Sequence, residues 1–321
     1  MPDNIKNVTV LMPAYNCGKY IAASIRSILN QTFKEFEFII IDDGSTDNTG
    51  EIVNSFKDSR IIYKKTENKG TSAALNYGLS IATADWVARI DADDLNVPER
   101  LAKQVKFIET NPEYDVISSW SVYFKDTAKI LFLLKEPVEH SDIYGYLNLH
   151  NPINQSSVIY RKEKILAAKY NEQYSANEDF ELYHRIRDDV RFCSIPEFLV
   201  YTRVRKNSRT YSADSRNAYD FLYPFAFKNL LDSKSKNEYF YWTSILARVN
   251  FFFGNKKESR GFFKSSFSAK NLIAYLSTFL PQKSFDKLIN LRPRYRFRNI
   301  FTNTKAYRQE LIKLLGQNAG N

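Results

Sequence analysis

The sequence predicts an α/β protein: a doubly wound, mostly parallel sheet followed by a helical, basic C-terminal region. Three observations carry this. Over about the first 110 residues, short apolar or β-branched runs alternate with segments of helical periodicity. Two of those runs end in acidic clusters: Phe38 to Ile41 leads into Asp42-Asp43-Gly44-Ser45-Thr46-Asp47, and Trp86 to Ile90 into Asp91-Ala92-Asp93-Asp94. Past about residue 210 the alternation stops, and the segments become helical, aromatic and basic.

Taken in order, Val8 to Met12 reads as a strand stopped by Pro13. Ile21, Ile25, Ile28 and Leu29 share a helical stripe, so Lys19 to Gln31 reads as a helix. Phe36 to Ile41 is the second strand, and Ser45 or Thr46 can cap a helix running through Ile52, Val53 and Phe56. Ile61 to Tyr63 is a third strand, Thr71 to Ala82 a helix, Asp85 to Ile90 a fourth strand, and Pro98 opens a helix through Leu101, Val105 and Ile108. Such a β-α-β-α-β-α-β series makes a doubly wound sheet. Beyond it, Val116 to Phe124, Lys129 to Leu134, Ser157 to Tyr160 and Glu197 to Val204 read as strands, and Glu178 to Ile186 as a helix. The domain boundary is placed near residue 210, dividing 1–210 from 211–321.

Composition limits the function classes. With 321 residues, 44% hydrophobic and 26% charged, the chain suits one large soluble domain with an appendage. Met1 to Asn7 lacks a signal-peptide core, and no apolar run reaches the ~18 residues of a spanning helix. Cys17 and Cys193 cannot make a disulfide framework and read as inert thiols, so a reducing cytoplasm is the expected compartment. The net charge of +10 is uneven: residues 201–321 hold 23 Lys+Arg against 7 Asp+Glu, which is +16, leaving −6 for residues 1–200. The tail therefore calls for an anionic partner.

The first strand is followed by Pro13-Ala14-Tyr15-Asn16-Cys17-Gly18, with neither G-x-G-x-x-G nor G-K-[ST], which argues against dinucleotide and P-loop sites. A calcium hand also fails: counted from Asp91, the fifth and sixth positions are Leu95 and Asn96, and the twelfth is Ala102. If the segment is extended, Asp91 and Asp93 face the same way and leave coordination positions open for a diphosphate sharing Mg²⁺ or Mn²⁺. A solvated loop with Asp94 capping the next helix is the plain alternative. Asp42-Asp43 reads equally well as a turn and helix cap or as an acceptor for a base or ribose. Tyr15 could stack on a base or simply pack.

Five segments, taken together and in order, resemble glycosyltransferase family 2. They are Val10 to Asn16, Ser27 to Phe33, Ile41 to Asp47, Asn68-Lys69-Gly70 and Asp91-Ala92-Asp93-Asp94, spanning roughly residues 8 to 108. The resemblance implies a GT-A fold and an inverting, metal-dependent transferase using a nucleotide-diphosphate sugar, with a UDP-sugar the first expectation. It implies that Pro13, Ala14, Tyr15, Asp43, Asp91 and Ala92 line the nucleotide site and that Asp93, with Asp91, holds Mg²⁺ or Mn²⁺. It further implies a general base in Asn177-Glu178-Asp179-Phe180-Glu181-Leu182, at Asp179, with Glu178 on the acceptor side. The alternative is that both acids merely complement a helix N-terminus. His150-Asn151-Pro152 resembles the acceptor-side segment that precedes the base.

The acceptor implied is a glycan or polyprenyl-linked sugar, as in bacterial surface polysaccharide synthesis. In the tail, Arg292, Arg294, Arg296 and Arg298 interleave with Pro293, Tyr295 and Phe297. That pattern suits an anionic membrane surface on the inner face of the cell membrane better than nucleic acid. A solvated appendage or a homodimer contact is the plain alternative. The rival to an enzyme is an inactive nucleotide-sugar-binding scaffold recruited to membranes by the tail.

Overall fold

The computed structural model describes residues 7–174, 176–205, 217–252, 256–266, 275–276, 278–279 and 305–316. Strands β1 (Val8–Ala14), β2 (Phe36–Asp42), β3 (Ile61–Lys65) and β4 (Trp86–Arg89) run parallel, joined through helices α1 (Ile21–Leu29), α2 (Thr49–Ser55) and α3 (Thr71–Ile81). There follow β5 (Leu95–Asn96), α4 (Arg100–Thr110), β6 (Val116–Phe124), β7 (Ile130–Leu134) and α5 (His140–Tyr146). A 3-10 turn at Gln155–Ser157 precedes β8 (Ile159–Arg161), α6 (Lys162–Ala168), α7 (Glu178–Ile186) and β9 (Phe192–Arg203). Helices α8 (Asn217–Leu231), α9 (Lys236–Phe252), α10 (Lys256–Ser265) and a helix at Lys305–Gly316 complete the described chain.

The nine strands form one sheet in the order β3-β2-β1-β4-β8-β6-β9-β5, with β7 pairing the second half of β6 off this path. Antiparallel β8 joins β4 to β6, so the second half of the sheet is mixed. Strand order reverses between β1 and β4. Such a switch point is where open α/β sheets bind ligands, outside the carboxyl ends of the strands, and both acidic clusters emerge at strand ends beside it.

Alternation along the strands divides the core in two. Val10, Met12, Phe38, Ile40 and Ala88 pack with α1, α2 and α4, whereas Leu11, Ile39, Ile41 and Val87 pack with α3, α7 and α8. Gly78 lets α3 lie close, since a Cβ there would come within 2.3 Å of Leu11 Cδ1. The later helices belong to these same layers: Leu311 and Leu314 enter the first, and Leu222 and Leu246 the second. The Tyr201 hydroxyl also donates to Glu310 at 2.5 Å. The expected boundary near residue 210 falls outside the described residues, but helices beyond it pack directly on the sheet.

Several local expectations change. Pro13 does not stop β1, which runs on to Ala14 in register with Asp42. Pairing with β4 covers only Thr9 to Leu11, so the imide at Pro13 leaves no donor missing from that side. The last strand begins at Phe192 rather than Glu197, because the β6 register jumps from Ile195 to Phe198 and puts Pro196 in an irregularity. Helix α4 starts at Arg100 rather than at Pro98. The seven-residue α5 and α6 were not anticipated, being too short to show a period.

Candidate active site

The first acidic cluster is built by strand alternation. Asp42, on the α2 side of β2, is fully buried and accepts from Ser45 N–H and from the Tyr63 hydroxyl, both at 2.7 Å. Asp43 faces the other side and meets the start of α3. Its two oxygens accept the Lys69 and Gly70 backbone N–H groups, each at 2.8 Å. A carboxylate on the N-cap amide of α3 and the amide just before it, at the positive end of the helix, is a favourable match. Lone pairs remain on both oxygens for a further donor. Gly44 turns the chain between them with φ +76°, and a Cβ there would sit 2.8 Å from Asn68 N.

The loop after β1 is laced to this turn. Asn16 adopts φ 47°, and its Oδ1 accepts the Thr46 N–H at 2.8 Å. Asp47 accepts the Gly18 N–H at 2.9 Å and the Thr49 N–H at 3.0 Å, so Asp47, rather than Ser45 or Thr46, covers the start of α2. Pro13 and Ala14 are buried in the strand, and Tyr15, just past its end, stands 51% exposed. Cys17 is buried, with desolvation pushing its thiol up to about 12, and Cys193 is pushed up to about 11 for the same reason. Both are protonated thiols at neutral pH, not nucleophiles.

The second cluster is a tight turn, not an extended segment, since Asp94 N–H donates to Asp91 O at 3.1 Å. Asp91 is half-exposed, pairs with Arg89 Nη1, and donates its own N–H to Ser156 Oγ at 3.0 Å. Asp93 is buried, with Arg205 Nε 2.7 Å from its Oδ2. Asp94 does not cap α4; it accepts the Arg203 backbone N–H at 2.7 Å. The Arg203 Nε donates to Asp93 O at 2.9 Å. Ala92 is buried against α1, where its carbonyl accepts from Ser24 Oγ. Burial and repulsion from Asp91 raise Asp93 to about 6 despite Arg205 and Arg203. Burial, with Asp93 and Asp91 adding to it, pushes Asp94 well above the carboxylate range.

The third acidic site opens α7. Asn177 precedes it with φ 58°, and Glu178 is buried. Asp179 is half-buried; its Oδ1 accepts the Phe180 N–H at 2.8 Å, and its Oδ2 accepts Asn151 Nδ2 at 2.9 Å. Burial raises its pKa, the Phe180 N–H and Arg89 oppose that, and Asp91 adds to it. The stretch from Asn151 to Ser156 therefore touches both the second cluster and Asp179, although some 90 residues separate Asp91 from Asp179. Buried His184 is pushed down to about 3 by desolvation and packs on Phe221 and Phe225, which suits a core role.

Among the described residues, no group of three or more His, Cys, Asp or Glu side chains is arranged to hold a metal. Asp91 and Asp93 form only a pair. Sequence reasoning missed Arg89, Arg203, Arg205, Asn151 as a partner of Asp179, and Ser156. A charge inside the apolar run before Asp91 was a visible sign for Arg89, whereas Arg203 and Arg205 meet acids more than 100 residues away and left none.

A family model for glycosyl transferase family 2 matches residues 9–174, half of the chain. The chain belongs to glycosyl transferase family 2. The match contains Asp43, Asp91 and Asp93 and stops short of Asp179. Relatives include an uncharacterized glycosyltransferase of Methanocaldococcus jannaschii, 37% identical over 206 residues, covering 61% of this chain and 70% of that one. Another is the UDP-Glc:alpha-D-GlcNAc-diphosphoundecaprenol beta-1,3-glucosyltransferase WfaP of Escherichia coli, 34% identical over 180 residues, covering 56% of this chain and 69% of that one. Among solved structures, S. aureus TarS 1–349 in complex with UDP-GlcNAc aligns with TM-score 0.60 at 19% identity, covering 88% of this chain and 81% of that one. The mannosyltransferase PcManGT from Pyrobaculum calidifontis, in complex with GDP-Man and Mn²⁺, aligns with TM-score 0.55 at 18% identity, covering 97% of this chain and 86% of that one. The likeness in shape shows the GT-A fold for this family 2 glycosyltransferase.

Proposed function

We propose that this glycosyltransferase moves a sugar from a UDP-sugar to a hydroxyl of a glycan or polyprenyl-linked acceptor, inverting the anomeric centre. The observation that carries the reading is the placement of Asp179. A half-buried carboxylate opens α7, is fixed by Asn151, and stands within the electrostatic reach of Asp91. Pro13, Ala14 and Tyr15 line the nucleotide side of the site, and Asp43 offers its remaining lone pairs to the base. Asp91 and Ala92 approach the ribose. WfaP, by its name, uses UDP-Glc and a diphosphoundecaprenol-linked acceptor, and TarS binds UDP-GlcNAc, which favours uridine and a lipid-linked acceptor here.

Asp179 takes the proton of the acceptor hydroxyl as that oxygen attacks the anomeric carbon opposite the departing diphosphate. One displacement inverts the configuration, and no covalent sugar–enzyme species forms. Glu178 adds negative charge on the acceptor side. Two features support a divalent cation at the Asp91–Asp94 turn: its crowded carboxylates, with Asp93 raised to about 6, would gain from positive charge, and a two-acid set, once exchanged from its arginine partners, would leave positions for substrate phosphates. Asp93, with Asp91, would hold Mg²⁺ or Mn²⁺, which when bound supplies Lewis-acid neutralisation of the leaving diphosphate. Arg203 and Arg205 add positive charge beside Asp93.

Thermal-shift profiling against UDP-, GDP- and dTDP-sugars, with and without Mn²⁺, tests the donor assignment. A response to GDP-sugars alone would overturn uridine. Asp179→Asn should lower kcat by about 10²–10⁴-fold with little change in donor affinity. Normal turnover in that variant would exclude Asp179 as the base.

The basic C-terminal region favours an anionic membrane surface as a further partner. Arg292, Arg294, Arg296 and Arg298 lie outside the described residues. Among the described residues no helix is long and apolar enough to cross a membrane. Co-sedimentation with phosphatidylglycerol vesicles, lost in neutral vesicles and in high salt, is expected. Equal recovery with both vesicle types would refute the electrostatic contact.

A further inference from the structure

Arg89 ends β4 and is only 2% exposed. Its position follows from alternation: Ala88 and Ile90 pack in the layer with α1 and α4, whereas Val87 packs in the layer with α3 and α7. Arg89 therefore projects on the α7 side of the sheet. That layer is built from Val87, Leu75, Phe180 and Leu182, together with Tyr160, Tyr170 and Tyr183. A guanidinium in such surroundings stays only if carboxylates neutralise it.

Those carboxylates come from both halves of the site. Asp91 Oδ1 accepts from Arg89 Nη1. Glu178, from the first turn of α7, acts on the same guanidinium through space, and Arg89 in turn acts on Asp179. The backbone of Arg89 is clamped as well, its N–H donating to Val158 O at 2.9 Å and its carbonyl accepting from Arg100 Nη2 at 2.9 Å. Arg89 Nε has no hydrogen-bond partner although it is buried. An arginine needed only to fill space would not carry that cost.

We infer that Arg89 is a positioning residue joining the donor turn to the base helix: its guanidinium fixes Asp91 and supplies the positive charge facing Glu178 and Asp179. This rests on the reading of Asp179 as the base. Carboxylates gathered in one water-poor site repel, and without a cation between them one takes up a proton. Arg89 acts toward the ionised, proton-accepting form of Asp179, against the burial and the acidic turn that raise its pKa. The groups facing Asp179 are Arg89 from β4, Asp91 from the donor turn, Asn151 from the segment before the 3-10 turn, and Tyr183 from α7 itself, with Glu178 acting on Arg89 from the same helix.

The test reads Asp179 directly in the full chain, by NMR titration of ¹³C-carboxyl-labelled aspartate, with the Asp179 signal assigned by its loss in Asp179→Asn. Arg89→Met should raise the Asp179 midpoint by at least about one pH unit, and Arg89→Lys should restore most of it. The acid limb of kcat should move with the midpoint, whereas a purely structural role would lower stability and leave the limb in place. If Arg89→Met does not fold, the same substitution in a Glu178→Gln background removes one of the uncompensated charges and carries the measurement. An unmoved midpoint in folded Arg89→Met, with Asp179→Asn inactive, overturns this inference alone. A fully active Asp179→Asn overturns the base assignment and the catalytic role of Arg89 with it, whatever the midpoint does.

Discussion

Replacing Asp43 with Asn separates two roles that the residue combines. In the ligand-free chain its carboxylate accepts two backbone N–H groups, from Lys69 and Gly70, both at 2.8 Å. An amide presents one acceptor oxygen, so one of these bonds is lost and an NH₂ group is turned toward an N–H donor. Hydrogen bonds to a charged group contribute about 1.5–3 kcal/mol each, and the site is buried, so Asp43→Asn should cost about that much stability. Urea denaturation followed by circular dichroism measures it, and calorimetric titration with UDP measures the effect on the nucleotide. A change below about 0.5 kcal/mol would refute the helix-terminus role and leave the carboxylate free for ligand alone. A destabilised variant that binds UDP as tightly as the parent would refute base recognition by Asp43.

Gly44→Ala should destabilise the chain by about 1–3 kcal/mol, since φ +76° disfavours a Cβ that would also press on Asn68 N; an unchanged unfolding midpoint would contradict the strained turn. Asp93→Asn should stabilise the ligand-free protein at pH 7. Burial and Asp91 raise the native Asp93 to about 6, above its unfolded value, so the native state binds more protons between about pH 4 and 6 and stability falls as pH rises through that window. Denaturation across pH should show that fall flattened in the variant, and calorimetry should show Mn²⁺-dependent tightening of UDP binding lost. Retained tightening would rule out Asp93 as the metal ligand.

Elements with a strong period were legible before the structure. The strand at Val116–Phe124 and the helix at Glu178–Ile186 match their expected bounds, because their apolar spacing reports directly which face is buried. At Asp91–Asp94 the sequence leaves an extended segment and a solvated loop both open, and the structure shows a tight turn. Its tight hydrogen bond is set by contacts with Ser156, Arg203 and Arg205, none of them near in sequence. Asp43 was open between cap and ligand contact. The structure shows it capping α3, a helix 28 residues further on, where a local cap had been sought for α2.

By itself the sequence determined the alternating fold, the family and the acidic positions, because periodicity, turn chemistry and motif order are local properties of the chain. The tertiary structure alone decided how those acids are neutralised. Arg89, Asn151, Arg203 and Arg205 meet Asp91, Asp93, Asp94 and Asp179 through the strand order, mostly across gaps of some 30 to 110 residues. The physical reason is range: propensity acts over a few residues, whereas electrostatic and desolvation energies depend on three-dimensional neighbours that a linear pattern does not contain.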